Sequence, residues 1–251
     1  MKRKIFLRSL AAAAGTGLII LLAQGLAAEA ADVKVIASNP MKAVIQELGV
    51  RFERESGHKL VTKFGQGLTG EPFDVAIVPT PAIDRLIKEG KIIAATRADL
   101  AYAGIGVGVQ AGAPKPDISS AEAFKRALLN AKSVAHSKAG TSGVHFKRLL
   151  ERFGIVEEMK PKLKPLTGDA LVQAVPSGEA EMIVGTISDI VAGGTVLVGP
   201  LPSELQLYIR FAAGVGVNAK EAEAAKALIK FLTAPAAIPV IKAKGMEPGK
   251  P

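Results

Sequence analysis

Short apolar segments alternate with amphipathic segments along most of the chain, and this rhythm constrains the fold more than any single motif. The first kind has the length of β-strands, and the second repeats its apolar residues with helical spacing. Strands are predicted at residues 33–37, 59–64, 73–78, 104–109, 134–137, 163–166, 180–184, 195–198 and 205–217. Helices are predicted at residues 40–56, 82–89, 120–130, 141–153, 169–177, 219–232 and 235–244. This alternation is typical of an α/β protein with mostly parallel strands.

The rhythm also predicts two lobes. The strand–helix alternation restarts after strand 104–109, which contains three glycines. The long extended run 205–217 is well placed to return the chain to the first lobe. We therefore expect each lobe to be a mostly parallel sheet flanked by helices, with two crossover strands between the lobes. The predicted division assigns residues 31–104 and 212–251 to lobe I and residues 105–211 to lobe II.

The first thirty residues are interpreted as a cleaved signal peptide rather than as part of the fold. An apolar run at 10–22 is followed by an A-x-A cleavage site formed by Ala28 and Ala30, which is the pattern of a secretory signal. Four basic residues precede the run: Lys2, Arg3, Lys4 and Arg8. We expect a periplasmic location. Segment 2–8 loosely resembles a twin-arginine signal with Lys4 in place of the second arginine, so the export route stays open, with ordinary secretion favoured.

Charge and composition narrow the classes of partner. Without residues 1–30 the chain keeps 28 basic and 22 acidic residues, a net charge of +6, spread without runs of like charge. Neither a clustered basic face nor clustered aromatic residues are present, which argues against nucleic-acid binding. The absence of cysteine excludes disulfides and thiolate metal sites. His58, His136 and His145 lack the spacing of a zinc site, so neither a metal nor a cofactor is expected.

The stretch 139–146 has the layout of an anion-binding site. It connects the predicted strand 134–137 to an amphipathic helix through Gly140, Thr141, Ser142 and Gly143. A helix N-terminus after a strand presents free backbone N–H groups and a partial positive charge at one point. The alternative is that Thr141 or Ser142 only caps the helix, as serine and threonine often do.

Counting this stretch, hydroxyl- or glycine-rich segments follow four predicted strands, two in each half of the chain. In open α/β sheets, ligands bind at the carboxyl ends of strands. The candidate ligand-binding residues are Ser38, Asn39, Gly65, Gln66, Gly67, Gly140, Thr141, Ser142, Gly143, Thr186, Ser188 and Arg210. Arg210 lies on the predicted crossover strand 205–217, where it could donate to a ligand carboxylate or remain a surface charge.

Residues 65–70 match the G-x-G-x-x-G pattern of dinucleotide-binding proteins, but the context excludes that function. The pattern must open a helix, whereas here Glu71 and Pro72 lead directly into the predicted strand 73–78. We interpret the segment as a loop at a strand end.

Several segments resemble the periplasmic solute-binding proteins of ABC transporters, in particular the molybdate-binding-like group. They are the strand ending at Ser38 with its helix, and segments 73–77, 178–184, 224–232 and 245–248. The resemblance implies a type II periplasmic-binding-protein-like fold that closes on a small anion, a membrane ABC permease as partner, and a monomeric state. Ser38 matches the first family serine. Gly65, Gln66 and Gly67 replace the second, and Thr186 or Ile187 replaces the family tyrosine.

These replacements leave the ligand open between a molybdate-like oxyanion and a small organic acid. The same sub-branch also resembles a periplasmic aconitate isomerase, so an exported isomerase acting on an aconitate-like tricarboxylate is the alternative function. A proton shift needs a positioned base, for which His145 and His136 are the candidates. Either histidine could instead pack structurally, and a binding protein without catalysis is the favoured interpretation.

Overall fold

The structure, a computed structural model, describes residues 30–65 and 70–249. The segment interpreted as a signal peptide lies outside the described residues, except for Ala30. The strands are β1 Asp32–Ala37, β2 Lys59–Phe64, β3 Val75–Pro79, β4 Ala98–Val109, β5 Val134–Ser137, β6 Leu163–Leu166, β7 Met182–Thr186, β8 Val196–Pro200, β9 Tyr208–Val215 and β10 Glu247–Pro248. The helices are α1 Lys42–Ser56, α2 Thr80–Lys88, α3 Ala121–Asn130, α4 Thr141–Phe153, α5 Val156–Met159, α6 Gly168–Gln173, α7 Ile187–Ala192, α8 Ala222–Thr233 and α9 Ile238–Ala243.

The strands form one continuous path in the order β2-β1-β3-β9-β4-β7-β5-β6, and β8 and β10 pair separately with β4. Strand β1 is parallel to β2 and β3, and β5 is parallel to β6 and β7. The crossover strands β4 and β9 are antiparallel to their neighbours. This arrangement confirms the predicted α/β fold with two lobes and two crossover strands.

Strand β4 changes partner along its length. Residues 98–104 pair with β9, and residues 105–109 pair with β7. At the change, Gln206 takes the place of a strand neighbour: its Oε1 accepts the N–H of Ile105 at 2.8 Å, and its Nε2 donates to the carbonyl of Ile105 at 3.0 Å. The chain thus passes between the lobes with its backbone hydrogen bonds satisfied.

Each lobe has its own apolar core. In lobe I, α1, α8 and α9 pack on the sheet, with Phe52, Leu228 and Phe211 buried among them. In lobe II, α3 and α4 cover the opposite half of the sheet through Phe124 and Phe146. Burial of such side chains stabilises each lobe by about 1.5–3 kcal/mol per large residue.

Helix α1 follows β1 for reasons visible in the sequence. A short 3₁₀ turn with Pro40 starts it after Ser38, and Val44, Ile45, Leu48 and Phe52 form its buried face. The helix ends at Gly57, which adopts the left-handed conformation with φ 76°. The predicted helix is confirmed.

The predicted start of β4 at residue 104 is wrong, because the strand already begins at Ala98. Its glycines are required by close packing rather than by flexibility. A Cβ on Gly106 would lie 2.8 Å from the carbonyl oxygen of Gly199, and one on Gly108 would lie 2.7 Å from Cγ2 of Thr195. A bulge against β8 falls between Val107 and Gly108.

Among the described helices, none alone has the length and apolar character of a membrane span. The segments Ala222–Thr233 and Pro235–Ala243 reach that length and character only together, with a 61° bend between them.

The buried carboxylate of Asp74 joins three parts of lobe I. Its Oδ2 accepts the backbone N–H of Lys34 in β1 at 2.8 Å. Its Oδ1 accepts the N–H groups of Lys220 and Glu221, just before α8, at 2.7 and 3.2 Å. Asp74 is 3% exposed, so these donors compensate the charge in place of water.

We expect Asp74→Ala to lower the free energy of unfolding by about 3 kcal/mol or more, because it leaves several N–H groups without an acceptor. Urea denaturation measures the loss. The matched control is Asp84→Ala, whose carboxylate pairs with Arg97 at 3.1 Å on the surface and should contribute about 0–1 kcal/mol. Equal losses in the two variants would contradict the role given to Asp74.

Candidate functional site

A cavity of about 190 Å³ lies at the carboxyl ends of β1, β3, β5 and β7. It is smaller than the ~300–1,000 Å³ of sites for drug-sized ligands, which favours a ligand of few atoms. Seven of the predicted site residues line it: Ser38, Asn39, Gly65, Gly140, Thr141, Ser142 and Thr186. The structure therefore brings together segments from all four predicted strand ends.

Two buried hydroxyls reach the cavity from opposite lobes. Ser38 follows β1 and is 8% exposed, and Ser142 lies in the first turn of α4 and is 4% exposed. Within residues 30–65 and 70–249, neither side chain makes a hydrogen bond. A buried hydroxyl is normally paired, so both are available to a ligand in the cavity.

The N-terminus of α4 contributes backbone donors. The residue that caps the helix is Gly140, which has no side chain, so neither Thr141 nor Ser142 acts as the cap. The N–H of Gly140 donates to Oγ of Ser137 at 2.9 Å. The next N–H groups of the helix have no intrahelical acceptor and carry the positive end of its dipole. This arrangement favours an anion site over a simple helix cap.

Gly143 fixes the helix against the strand that precedes it. A Cβ at this position would lie 1.7 Å from the carbonyl oxygen of Ser137. Only glycine permits this approach. Gly143 is thus a supporting residue behind Ser142 and is not part of the cavity lining.

Thr186 and Asp189 form the lobe II wall of the cavity. Thr186 caps α7 by accepting the N–H of Asp189 at 3.3 Å, and its Oγ1 donates to Oδ2 of Asp189 at 2.7 Å. Asp189 is 6% exposed. Burial raises the pKa of its carboxyl from 3.8 to about 6, although the Thr186 hydrogen bond acts to lower it. Ser188 hydrogen-bonds Thr186 at 3.1 Å and lines a neighbouring cavity instead.

Some candidates are not in the cavity lining. Gln66 and Gly67 lie outside the described residues. Arg210 is exposed, with its guanidinium carbon 5.3 Å from the ring centroid of Tyr102. The structure thus places the Arg210 side chain against an aromatic ring, as a cation–π pair.

Both candidate histidines also lie outside the lining. His136 is 1% exposed, its Nδ1 is 3.0 Å from the carbonyl oxygen of Ser137, and burial lowers its pKa. The Nε2 of His145 is 2.7 Å from the carbonyl oxygen of Leu205. Each ring is held by a backbone carbonyl rather than directed at the cavity.

Two charged lining residues were missed by sequence reasoning, Arg85 and Asp189. Arg85 lies on α2, which follows β3, and the end of β3 is a fifth strand end whose residues gave no glycine or hydroxyl cluster. Its Nε lies 3.6 Å from Oε1 of Glu89, and its side chain is 60% exposed. Such a loose surface pair leaves guanidinium donors free for a ligand. The position of α2 directly after a strand was the signal that could have found it.

In the part of the chain that the structure describes, no group of three His, Cys, Asp or Glu side chains is arranged to hold a metal ion. The polar groups of the cavity are hydroxyls, backbone N–H groups, the side-chain amide of Asn39, one guanidinium and one carboxyl. This set suits an anion held by hydrogen bonds.

Comparisons with known proteins match nearly the whole described chain. The family model described as bacterial extracellular solute-binding protein matches residues 33–247. An aconitate isomerase of a Pseudomonas species is 29% identical over 228 residues, covering 85% of this chain and 87% of the relative. The molybdate-binding protein ModA of Azotobacter vinelandii is 30% identical over 247 residues, covering 91% and 96%.

Solved structures show the same fold. The periplasmic molybdate-binding protein of Azotobacter vinelandii superposes with a TM-score of 0.72 at 18% identity, covering 88% of this chain and 100% of that one. L-phospholactate-bound PEB3, a protein of Campylobacter jejuni, gives a TM-score of 0.64 at 13% identity, covering 86% and 99%. The expected type II periplasmic-binding-protein fold is confirmed.

We expect Gly143→Ala to destabilise the protein by about 3 kcal/mol or more, because the added methyl group overlaps a backbone carbonyl that cannot rotate away. Thermal and urea unfolding measure the effect. Gly185→Ala, also near the cavity, is the matched control, since its Cβ would make only ordinary contacts at 3.6 Å. A stable Gly143→Ala variant would show that α4 is not held at this distance.

Proposed function

The chain belongs to the bacterial extracellular solute-binding protein family, and on this premise we propose that it captures a small anion between its two lobes for delivery to a membrane ABC permease. One observation carries the proposal. The hydroxyls of Ser38 and Ser142 reach one small cavity from opposite lobes and have no partner in the described chain. Together with the N-terminus of α4, they can neutralise an anion by directed dipoles.

A ligand held by both lobes favours the closed arrangement, because it contacts both walls only there. The ion pair between Lys42 of α1 and Asp169 of α6, at 2.6 Å, also joins the lobes. It is partly exposed and therefore weak. We propose that the ligand supplies most of the free energy that stabilises closure.

The ligand is a molybdate-like oxyanion or a small organic acid. The names of the relatives support both classes, since they include molybdate-binding proteins and an aconitate isomerase. Ser38 supports an oxyanion, and Arg85 on the lobe I wall adds a donor that suits a carboxylate or a phosphate.

We also propose how the chain is exported, in which oligomeric state it acts and where its lobes begin and end. Residues 1–30 act as a signal peptide that directs the protein to the periplasm, and the mature protein acts as a monomer. The lobe boundaries at 104/105 and 211/212 stay predictions. The change of strand partner between Gly104 and Ile105 supports the first boundary.

We expect a thermal-shift screen of molybdate, tungstate, sulfate, phosphate, citrate and the aconitates to identify at least one stabilising anion. A ligand at 100 times its Kd should add about 2.7 kcal/mol to the free energy of unfolding. The double variant Ser38→Ala and Ser142→Ala should lose this shift, since both hydroxyl donors are removed. The control is Ser119→Ala with Ser203→Ala, two exposed serines. A full shift in the Ser38/Ser142 variant would show that the site lies elsewhere.

A second candidate function, isomerisation of an aconitate-like acid, is favoured by one specific observation. A base for a proton shift works best when its pKa is near the ambient pH. Asp189 lines the cavity with a pKa raised to about 6 by burial. It, rather than His136 or His145, would be the base.

For the binding function we expect no change in ultraviolet absorbance when the purified protein is incubated with cis- or trans-aconitate. Turnover that falls by about 10²-fold or more in Asp189→Asn would instead establish the isomerase. Asp99→Asn is the control for the loss of one negative charge outside the cavity.

A further inference from the structure

The carboxyl of Asp189 is the feature of the cavity that an anion site does not explain. It is 6% exposed and lines the cavity from the lobe II side, opposite the guanidinium-bearing helix α2. A carboxylate facing a bound anion would repel it, and burial strengthens the repulsion because little water screens it. A bound anion must therefore either stay away from this carboxylate or donate a hydrogen bond to it.

The direction of the hydrogen bonds around Asp189 shows which groups remain free. A threonine hydroxyl has one proton, and Thr186 gives its proton to Oδ2 of Asp189 at 2.7 Å. Thr186 must then accept from Ser188, whose Oγ lies 3.1 Å away. The Thr186 proton is thus directed to the carboxylate, and the Ser188 proton is directed to Oγ1 of Thr186. While Asp189 is ionised, neither hydroxyl has a proton left for a ligand.

The wall formed by Thr186, Ser188 and Asp189 therefore presents an acceptor. The second carboxylate oxygen, Oδ1 of Asp189, has no hydrogen-bond partner anywhere in the described chain. The opposite walls present donors: the hydroxyls of Ser38 and Ser142, the N-terminus of α4 and Arg85. A complementary ligand accepts hydrogen bonds on most sides and donates one on the Asp189 side.

We propose that Asp189 makes the site selective for anions that carry an O–H group of their own, and against anions that only accept hydrogen bonds. Hydroxycarboxylates and hydrogen phosphate share the required chemistry. Sulfate, molybdate and unsubstituted dicarboxylates lack the donor and leave Oδ1 of Asp189 unpaired next to a negative charge. A site built around a ligand hydroxyl discriminates strongly against analogues without it. This inference rests on the proposed anion-binding function.

Protonation of Asp189 converts the acceptor to a donor, so selectivity should depend on pH. Four charged residues line the cavities that Asp189 borders: Arg85 on the lobe I wall, and Lys42, Asp169 and Lys244 on the far side of α7. Lys42 pairs with Asp169, and Lys244 pairs with Glu47 at 2.9 Å. The segments of β4, β7 and β8 that pack on α7 are apolar apart from Thr186. Burial raises the pKa of Asp189 to about 6, so the neutral form, which tolerates acceptor-only anions, prevails below that pH.

The test is isothermal titration of the purified full chain with matched pairs of anions that differ in one O–H group. The pairs are citrate and tricarballylate, malate and succinate, and hydrogen phosphate and sulfate, all at pH 7.5. We expect at least a tenfold preference for the donor-bearing member of the pair that fits the cavity. A preference within either of the first two pairs identifies a hydroxycarboxylate as the ligand class, and a preference within the third pair identifies a phosphate.

Asp189→Asn keeps the shape and an acceptor for Thr186 but replaces the charge with an amide that can donate. We expect the preference to fall at least fivefold in this variant. Asp99→Asn, which removes one negative charge outside the cavity, should keep the preference for the donor-bearing anion. A second measurement does not depend on the variant. Wild-type protein should bind sulfate, whose charge is constant in this range, about tenfold more tightly at pH 5 than at pH 8.

The outcomes separate this inference from the function it rests on. If no anion of the panel binds at any pH, the proposed function is overturned, and the selectivity with it. If anions bind but the two members of each pair bind equally, or sulfate affinity is the same at pH 5 and pH 8, only the role given to Asp189 is overturned.

Discussion

The crossover strands β4 and β9 determine where every other element can lie. Strand β4 pairs with β9 in one lobe and with β7 and β8 in the other, so a single strand belongs to both sheets. At the change of partner, Gln206 holds both backbone groups of Ile105, so the strand continues without unpaired polar atoms. Any closing motion must therefore bend around this pair, and the cavity lies where the two lobes face each other beside it.

Most elements could be predicted from the sequence because their signals are local. The alternation in β2 and the short buried run of β5 gave bounds that match the structure, and Gly57 marked the end of α1. The start of β4 could not be found in this way. Residues 98–103 become a strand because β9, more than a hundred residues later, pairs with them. The short elements α5 and β10 carry too few residues for any periodicity.

At the site, too, the residues with a local sequence signal were predicted, and those that depend on tertiary neighbours were not. Hydroxyls at strand ends predicted the cavity around Ser38 and Ser142, because parallel strands bring their carboxyl ends to one edge. Arg85 and Asp189 gave no such signal, since an isolated charge in a sequence is most often a solvated one. Thr186 was predicted as a ligand-binding residue and does line the cavity, but its proton is directed to Asp189. Which atom a hydroxyl donates to depends on tertiary neighbours, and composition does not reveal it.

The place of β9 between β3 and β4 also has a consequence for how the chain folds. Strands β3 and β4 precede β9 by about a hundred residues or more, and neither can complete its ladder until residues 208–215 arrive. The contacts that close lobe I are thus far apart in sequence, and such topologies fold slowly. During synthesis, the chain carries two open strand edges until its last fifth has emerged. Open edges are where unfinished chains associate wrongly, so the edges of β3 and β4 are exposed to such pairing until β9 covers them.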